Sequence, residues 1–174
     1  MCEKKNKKPY EPTKDERQGA PRAFEYELQM FLGTVQMLGC LENPCSIFVN
    51  KCLQNSILET VLLHARNLLD FFTGGQPLKG NRDEDSICAG YFISKPQNNQ
   101  AGWWQSAKLS HTKSRKNDIN KSLSHLTFKR IRGNYKWDDL LKIKEEIESA
   151  YDEFLQLLPD EDRAKWSQEQ SYGC

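Results

Sequence analysis

The sequence contains no long apolar run, and that absence excludes several classes of protein. None of its stretches reaches the roughly eighteen apolar residues that a transmembrane helix needs. The first twenty residues are charged and lack the apolar segment of a signal peptide. We therefore expect a cytoplasmic protein without a membrane partner.

Paired metal-binding motifs are also absent. The chain has no C-x2-C spacing, which zinc sites favour, and no Glu-x-x-His pair, which ferritin-like metal hydrolases need. It also lacks a phosphate-cradling glycine loop, a nucleophile elbow and a dinucleotide fingerprint. We predict no metal and no cofactor. The six cysteines are expected to be scattered reduced thiols: Cys2, Cys40, Cys45, Cys52, Cys88 and Cys174.

Charge is nearly balanced in total but uneven along the chain. The net charge is +1. From Lys108 to Arg132, eight basic residues stand against one acid, which gives +7. From Asp138 to Gln170, eleven acids stand against four basic residues, which gives −7. The two blocks either face each other within the fold or form separate basic and acidic surfaces.

Apolar periodicity predicts four main helices. The first begins at Pro21 and ends near Gly39, and the stretch from Asn43 to Phe72 forms one long helix or two. A third runs from about Ser114 to Ile131. The fourth begins near Asp138 and ends before Pro159, and a short final helix reaches Trp166.

These segments predict an all-α, antiparallel bundle of four main helices, with a long connection (75–113) before the third helix. Within that connection, 87–93 is expected to be a short helix or a packed loop. Residues 1–20 are predicted to be a mobile polar tail, 21–166 a single helical domain and 167–174 a C-terminal tail.

Five polar residues on the strongly apolar second helix need an explanation: Glu59, His64, Arg66, Asn67 and Asp70. At 100° per residue, Glu59, Arg66 and Asp70 lie within about 40° of one another, at the edge of the apolar face. His64 lies on the opposite flank. These residues form either a structural ion network with a satisfied histidine, or the lining of a cleft shared with another helix.

The third helix offers a partner for such a cleft. Lys121 and His125 are four residues apart and share a helix face, which Lys129 continues. An imidazole among cations suits phosphate chemistry, because it can transfer a proton near neutral pH while the cations stabilise phosphoryl charge. The other interpretation is a solvated basic face with one incidental histidine.

The segment Glu59-x4-His64 and its continuation to Phe72, followed later by Asn120-x4-His125, resembles HEPN-like helical proteins of bacteria. The resemblance implies a small α-bundle that acts on RNA without a metal. That family's catalytic signature is an arginine several residues before a histidine. Here His125 takes the place of the histidine, but Asn120 replaces the arginine, with Lys121 beside it.

Two functions follow as hypotheses. One is an RNA-binding protein or a weak, degenerate ribonuclease, with His125 as acid or base and Lys121 and Arg66 holding phosphate. Its binding residues would be Asn120, His64, Glu59, Asp70 and Lys129. The other is a non-enzymatic helical scaffold that forms a homodimer or larger homo-oligomer, with tryptophans as core or interface anchors: Trp103, Trp104, Trp137 and Trp166.

Overall fold

A computed structural model describes residues 11–40, 47–74, 86–93, 104–124 and 136–167. In this part of the chain all regular structure is helical, which confirms the predicted all-α bundle. Within these ranges the α-helices are α1 (Lys14–Cys40), α2 (Ile47–Thr73), α3 (Ser110–Ser124), α4 (Trp137–Leu157) and α5 (Asp160–Trp166).

Helix α1 begins seven residues before Pro21, so the predicted start was wrong, as was the predicted mobile tail for residues 14–20. A capping box starts the helix. The backbone N–H of Thr13 donates to Glu16 Oε2 at 2.6 Å, and that of Glu16 donates to Thr13 Oγ1 at 3.3 Å. Pro21 lies inside the helix and removes one backbone hydrogen bond. Ala20 and Phe24, on either side of Pro21, are buried in the core.

Helix α2 is continuous from Ile47 to Thr73, which decides between the one-helix and two-helix interpretations. It is the central helix and packs against α1, α3 and α4. Most of the apolar residues in its second half are almost fully inaccessible, as expected for a helix contacted on several sides. The buried residues include Val61, Leu62, Ala65, Leu68, Leu69 and Phe72.

The four long helices alternate in direction. Phe24 of α1 contacts Phe71 near the end of α2, with ring centroids 4.5 Å apart, and lies 5.3 Å from Tyr151 near the end of α4. At the other end of α1, the Trp137 ring at the start of α4 packs against Gly39. Helix α1 is therefore antiparallel to both α2 and α4, as the sequence predicts.

Helix α3 starts where α2 ends, because the Ser106 N–H just before α3 donates to the Phe72 carbonyl at 3.1 Å. Its first turn lies against the middle of α4 and its second turn against the start of α4, so α3 and α4 are also antiparallel. Helix α3 begins at Ser110, four residues before the predicted start. Helices α4 and α5 match their predicted bounds closely.

One end of the bundle is closed by an aromatic cluster centred on Phe154, which is fully buried. Trp166 of α5 packs into it, 4.9 Å from the Phe154 ring. Trp104 and Trp137 are partly buried and pack against the core, so none of these three tryptophans is an exposed anchor. Trp103 lies outside the described residues.

The long connection before α3 is confirmed, and part of it is packed. Residues 86–93 carry a single 3-10 turn, Ala89–Tyr91, with Ala89 buried. Arg17 of α1 donates to the Tyr91 carbonyl at 3.1 Å and ties this segment to the bundle. A Cβ at Gly74 would lie 2.5 Å from Cys88 Sγ and 2.6 Å from the backbone carbonyl oxygen of Asp70, so a side chain at position 74 would force the backbone to shift.

Candidate functional site

Helix α3 carries the basic part of the site, and Glu146 of α4 fixes its position. The Glu146 carboxylate accepts the backbone N–H groups of His111 at 2.9 Å and Thr112 at 2.8 Å. It also accepts the Thr112 hydroxyl at 2.8 Å and the Ser110 hydroxyl at 3.3 Å. A side chain from another helix thus satisfies the N–H groups that every helix N-terminus leaves unpaired.

The protonation of Glu146 reflects this role. Burial acts to raise the pKa of its carboxyl group, but hydrogen bonds from Thr112, His111 and Ser110 outweigh burial and hold that pKa below its usual value. The cap is therefore ionised at neutral pH. A negative charge at a helix N-terminus is also favoured by the helix dipole.

The ionic residues of α3 divide among three directions. Toward α4, the Arg115 guanidinium lies 3.6 Å from the Asp139 carboxylate of that helix, measured from nitrogen to oxygen. It also lies 3.3 Å from Asp118, three residues along on α3. His111 Nε2 lies 3.5 Å from Asp139 Oδ1 in the same network. The seam between α3 and α4 is therefore a compensated ion network, and part of the basic block faces part of the acidic block.

Toward α2, Lys116 forms the shortest ion pair of the site. Its Nζ donates to Asp70 Oδ1 at 2.6 Å. Arg66 Nε lies 3.9 Å from the other Asp70 oxygen. Asn120, one turn after Lys116, is partly buried, and no donor within the described ranges reaches its Oδ1. The side chains of Arg66, Asp70 and Lys116 are each 40–46% exposed, so this seam opens to solvent.

Toward solvent, α3 presents a face without acids. Over 110–123, the exposed residues of α3 span about 100° of the helix at 100° per residue. We call this set the basic face. It consists of Ser110, Lys113, Ser114, Asn117 and Lys121.

The exposed residues of α4 have the opposite character. They include Asp138, Glu145 and Asp152, with Lys142 as the exposed cation. The basic face therefore borders an acidic surface. Both arrangements predicted for the basic and acidic blocks are therefore present. Arg115 and Asp139 pair in the seam between α3 and α4, while Lys113 and Lys121 lie outside the seam on the exposed surface.

His64 lies away from this region. It is 5% exposed, and its Nδ1 lies 2.7 Å from Glu27 Oε2 of α1, which also accepts the Asn67 side-chain amide at 3.0 Å. The Tyr26 ring covers it edge-on. This is the arrangement expected of a structural histidine that ties α1 to α2.

Two of the remaining predicted site residues, Glu59 and Lys121, are exposed. Glu59 is exposed on α2, two turns before Arg66 on the same edge of the helix. Lys121 is exposed on α3. His125 and Lys129 lie outside the described residues. The structure thus brings together Arg66, Asp70 and the second turn of α3, and it separates them from His64.

Sequence reasoning missed the individual roles of Lys113, Lys116 and Glu146. Lys113 and Lys121 are eight residues apart and share a helix face, a spacing that was readable from the sequence. The contacts of Lys116 and Glu146 join residues 46 and at least 34 positions apart, so no local pattern indicates them.

Comparison with models of known families, with curated proteins and with solved structures finds no match. The HEPN-like resemblance therefore stays a prediction. Among the described residues, no group of three or more His, Cys, Asp or Glu side chains is placed to hold a metal ion. None of the described helices is both long and apolar enough to cross a membrane.

Proposed function

We propose that this protein binds RNA through the basic face of α3, by contacts to backbone phosphates. The observation that supports this function is that the exposed residues of α3 over 110–123 are two lysines and three small polar residues, with no acid. Lysine ammonium groups and short polar side chains are the usual ligands of nucleic-acid phosphates. The choice of RNA rests on the HEPN-like resemblance.

The spacing of the lysines fits an extended anionic ligand. Lys113 and Lys121 are eight residues apart, which is about 12 Å along a helix axis. Lys108 is exposed just before the helix and extends the positive surface. Such a row of charges contacts successive phosphates of one strand and carries little sequence information.

Binding is favoured over efficient cleavage. Of the three histidines, His64 is paired with Glu27 and His111 faces Asp139. The position of the signature arginine holds Asn120, which has no charge to stabilise a phosphorane-like transition state. Any cleavage would depend on His125, with Arg66 and Lys121 holding phosphate.

Removing the two lysines of the basic face should weaken RNA binding strongly. Loss of two phosphate contacts should reduce the steepness of the plot of log K against log salt concentration by about 1.4. At about 0.1 M salt, that change corresponds to a loss of affinity of about 25-fold. The variant is Lys113→Ala/Lys121→Ala, measured by fluorescence anisotropy with a labelled single-stranded RNA between about 50 and 200 mM salt.

The matched control removes two cations from α1, which packs mainly against α2. Lys14 and Arg22 are both exposed there. Lys14→Ala/Arg22→Ala should leave the affinity and its salt slope close to those of the unmodified protein. If both double variants lose the same affinity, binding depends on total charge and the basic face is not the site.

Incubation of the purified protein with the same RNA tests for catalysis. We expect the RNA to stay largely intact over hours, and His125→Ala to leave its affinity unchanged. Rapid cleavage that His125→Ala abolishes would overturn the proposal of a mainly non-catalytic binder. Cleavage that survives His125→Ala would indicate a contaminating nuclease.

A second candidate function, a helical module that assembles with its own copies, is supported by exposed apolar residues on α1 and α2. Tyr26 and Met37 are 58% and 54% exposed, and Leu53 and Leu63 are each 43% exposed. Apolar residues of this kind often mark interfaces. A solution mass that rises with concentration, together with no RNA binding, would favour this function instead.

A further inference from the structure

The seam between α2 and α3 holds one carboxylate between two cations. Asp70 lies 2.6 Å from Lys116 and 3.9 Å from Arg66. All three side chains are 40–46% exposed. The cluster carries two positive charges and one negative charge, so it keeps an excess positive charge at the surface.

Arg66 is only weakly engaged by Asp70. A separation of 3.9 Å is too long for a hydrogen bond, and a guanidinium group has five N–H donors. Its planar fork is suited to bind a phosphate through two hydrogen bonds at once. Exposed ion pairs between a carboxylate and a cation stabilise a fold little, so a competing anion can replace the carboxylate.

The cluster is continuous with the basic face. Lys116 follows Lys113 by three residues, so the two side chains are neighbours on the surface of α3. Arg66 lies across the seam from Lys116, on the other side of Asp70. Positive groups therefore extend from the solvent side of α3 onto α2, with the Asp70 carboxylate between them.

We infer that Arg66 and Lys116 form a phosphate subsite for the RNA backbone, and that Asp70 occupies it in the absence of RNA. This inference rests on the proposed RNA binding. The ligand is a backbone phosphodiester, and it binds when the Asp70 carboxylate gives up its contact with Lys116. Asp70 thereby limits the affinity, because its carboxylate competes with the phosphate for the two cations.

Asp70→Asn tests the inference, because asparagine keeps the shape of the side chain and removes its charge. One additional phosphate contact should steepen the salt slope by about 0.7 and raise the affinity about fivefold near 0.1 M salt. The measurement is anisotropy with the same labelled single-stranded RNA. Glu145→Gln is the matched control, since it removes one exposed carboxylate from α4. It should change the affinity less than twofold and leave the slope unchanged.

A second variant separates the subsite from a general charge effect. Arg66→Ala in the Asp70→Asn background should remove the gain in affinity and restore the original slope. If the unmodified protein binds RNA but Asp70→Asn behaves like Glu145→Gln, the subsite is refuted while the proposed function stands. If the unmodified protein does not bind RNA, both fail. Should Asp70→Asn not fold, Asp70→Ala is measured in its place, and an affinity and slope like those of Glu145→Gln refute the subsite.

Discussion

Phe154→Ala is expected to lower the free energy of unfolding by about 3–5 kcal/mol, which is the range for deleting a buried aromatic ring. Phe154 is fully buried at the junction of α1, α2, α4 and α5. Removing its ring would leave a cavity that several rigid rings cannot fill. The contacting rings are Phe24, Phe71, Phe72, Trp104 and Trp166.

Urea denaturation followed by far-ultraviolet circular dichroism measures this change. Phe154→Leu should lose less than half as much, because leucine fills most of the space. Tyr26→Ala removes an exposed ring and should lose less than about 1 kcal/mol. A loss below about 1 kcal/mol for Phe154→Ala would contradict the position of this residue at the centre of the core.

The second large effect is expected at Glu146. Glu146→Ala should lower the free energy of unfolding by about 1–2 kcal/mol, since it removes the carboxylate that caps α3. The first turn of α3 should also become less protected, because the N–H groups of His111 and Thr112 lose their acceptor. Amide hydrogen exchange at these two residues measures that loss directly. Glu145→Ala, an exposed neighbour on α4, is the matched control.

The effect of Glu146→Ala should also depend on pH. The pKa of Glu146 is lower in the folded protein than its ordinary value of 4.5, so its contribution is complete above that value. The contribution is lost as pH falls through the lower, folded pKa. The stability difference between the unmodified protein and Glu146→Ala should therefore shrink from pH 6 to pH 3. A constant difference over this range would show that the carboxylate does not act through its charge.

The number, order and direction of the main helices could be predicted from the sequence, because apolar residues recur at helical spacing in each of them. It was less reliable at helix starts. The start of α1 was readable, since Thr13 and Glu16 have the spacing of a capping box, but Pro21 was the more conspicuous signal. The start of α3 was not readable, because its cap is Glu146, which lies far along the chain.

In the candidate site, too, contacts between residues far apart in the chain could not be predicted from the sequence. The basic block was evident in the sequence, but which of its charges face solvent depends on how α3 packs. Asp70 and Arg66 are four residues apart on the helix edge where the sequence allowed an ion network, and their side chains lie 3.9 Å apart. The closer contact of Asp70 is Lys116, at 2.6 Å and on another helix. A local spacing rule finds the first partner and cannot find the second.

The most direct test of the proposed function is to map the RNA contact on the folded protein. Nitrogen-15-labelled protein is titrated with a short single-stranded RNA, and backbone amide shifts are followed by nuclear magnetic resonance. We predict that the largest shifts fall on the basic face, at Lys113, Asn117 and Lys121, while the Tyr26 and Met37 amides of α1 stay unchanged. Shifts concentrated on α1, or no saturable shifts, would contradict RNA binding through the basic face.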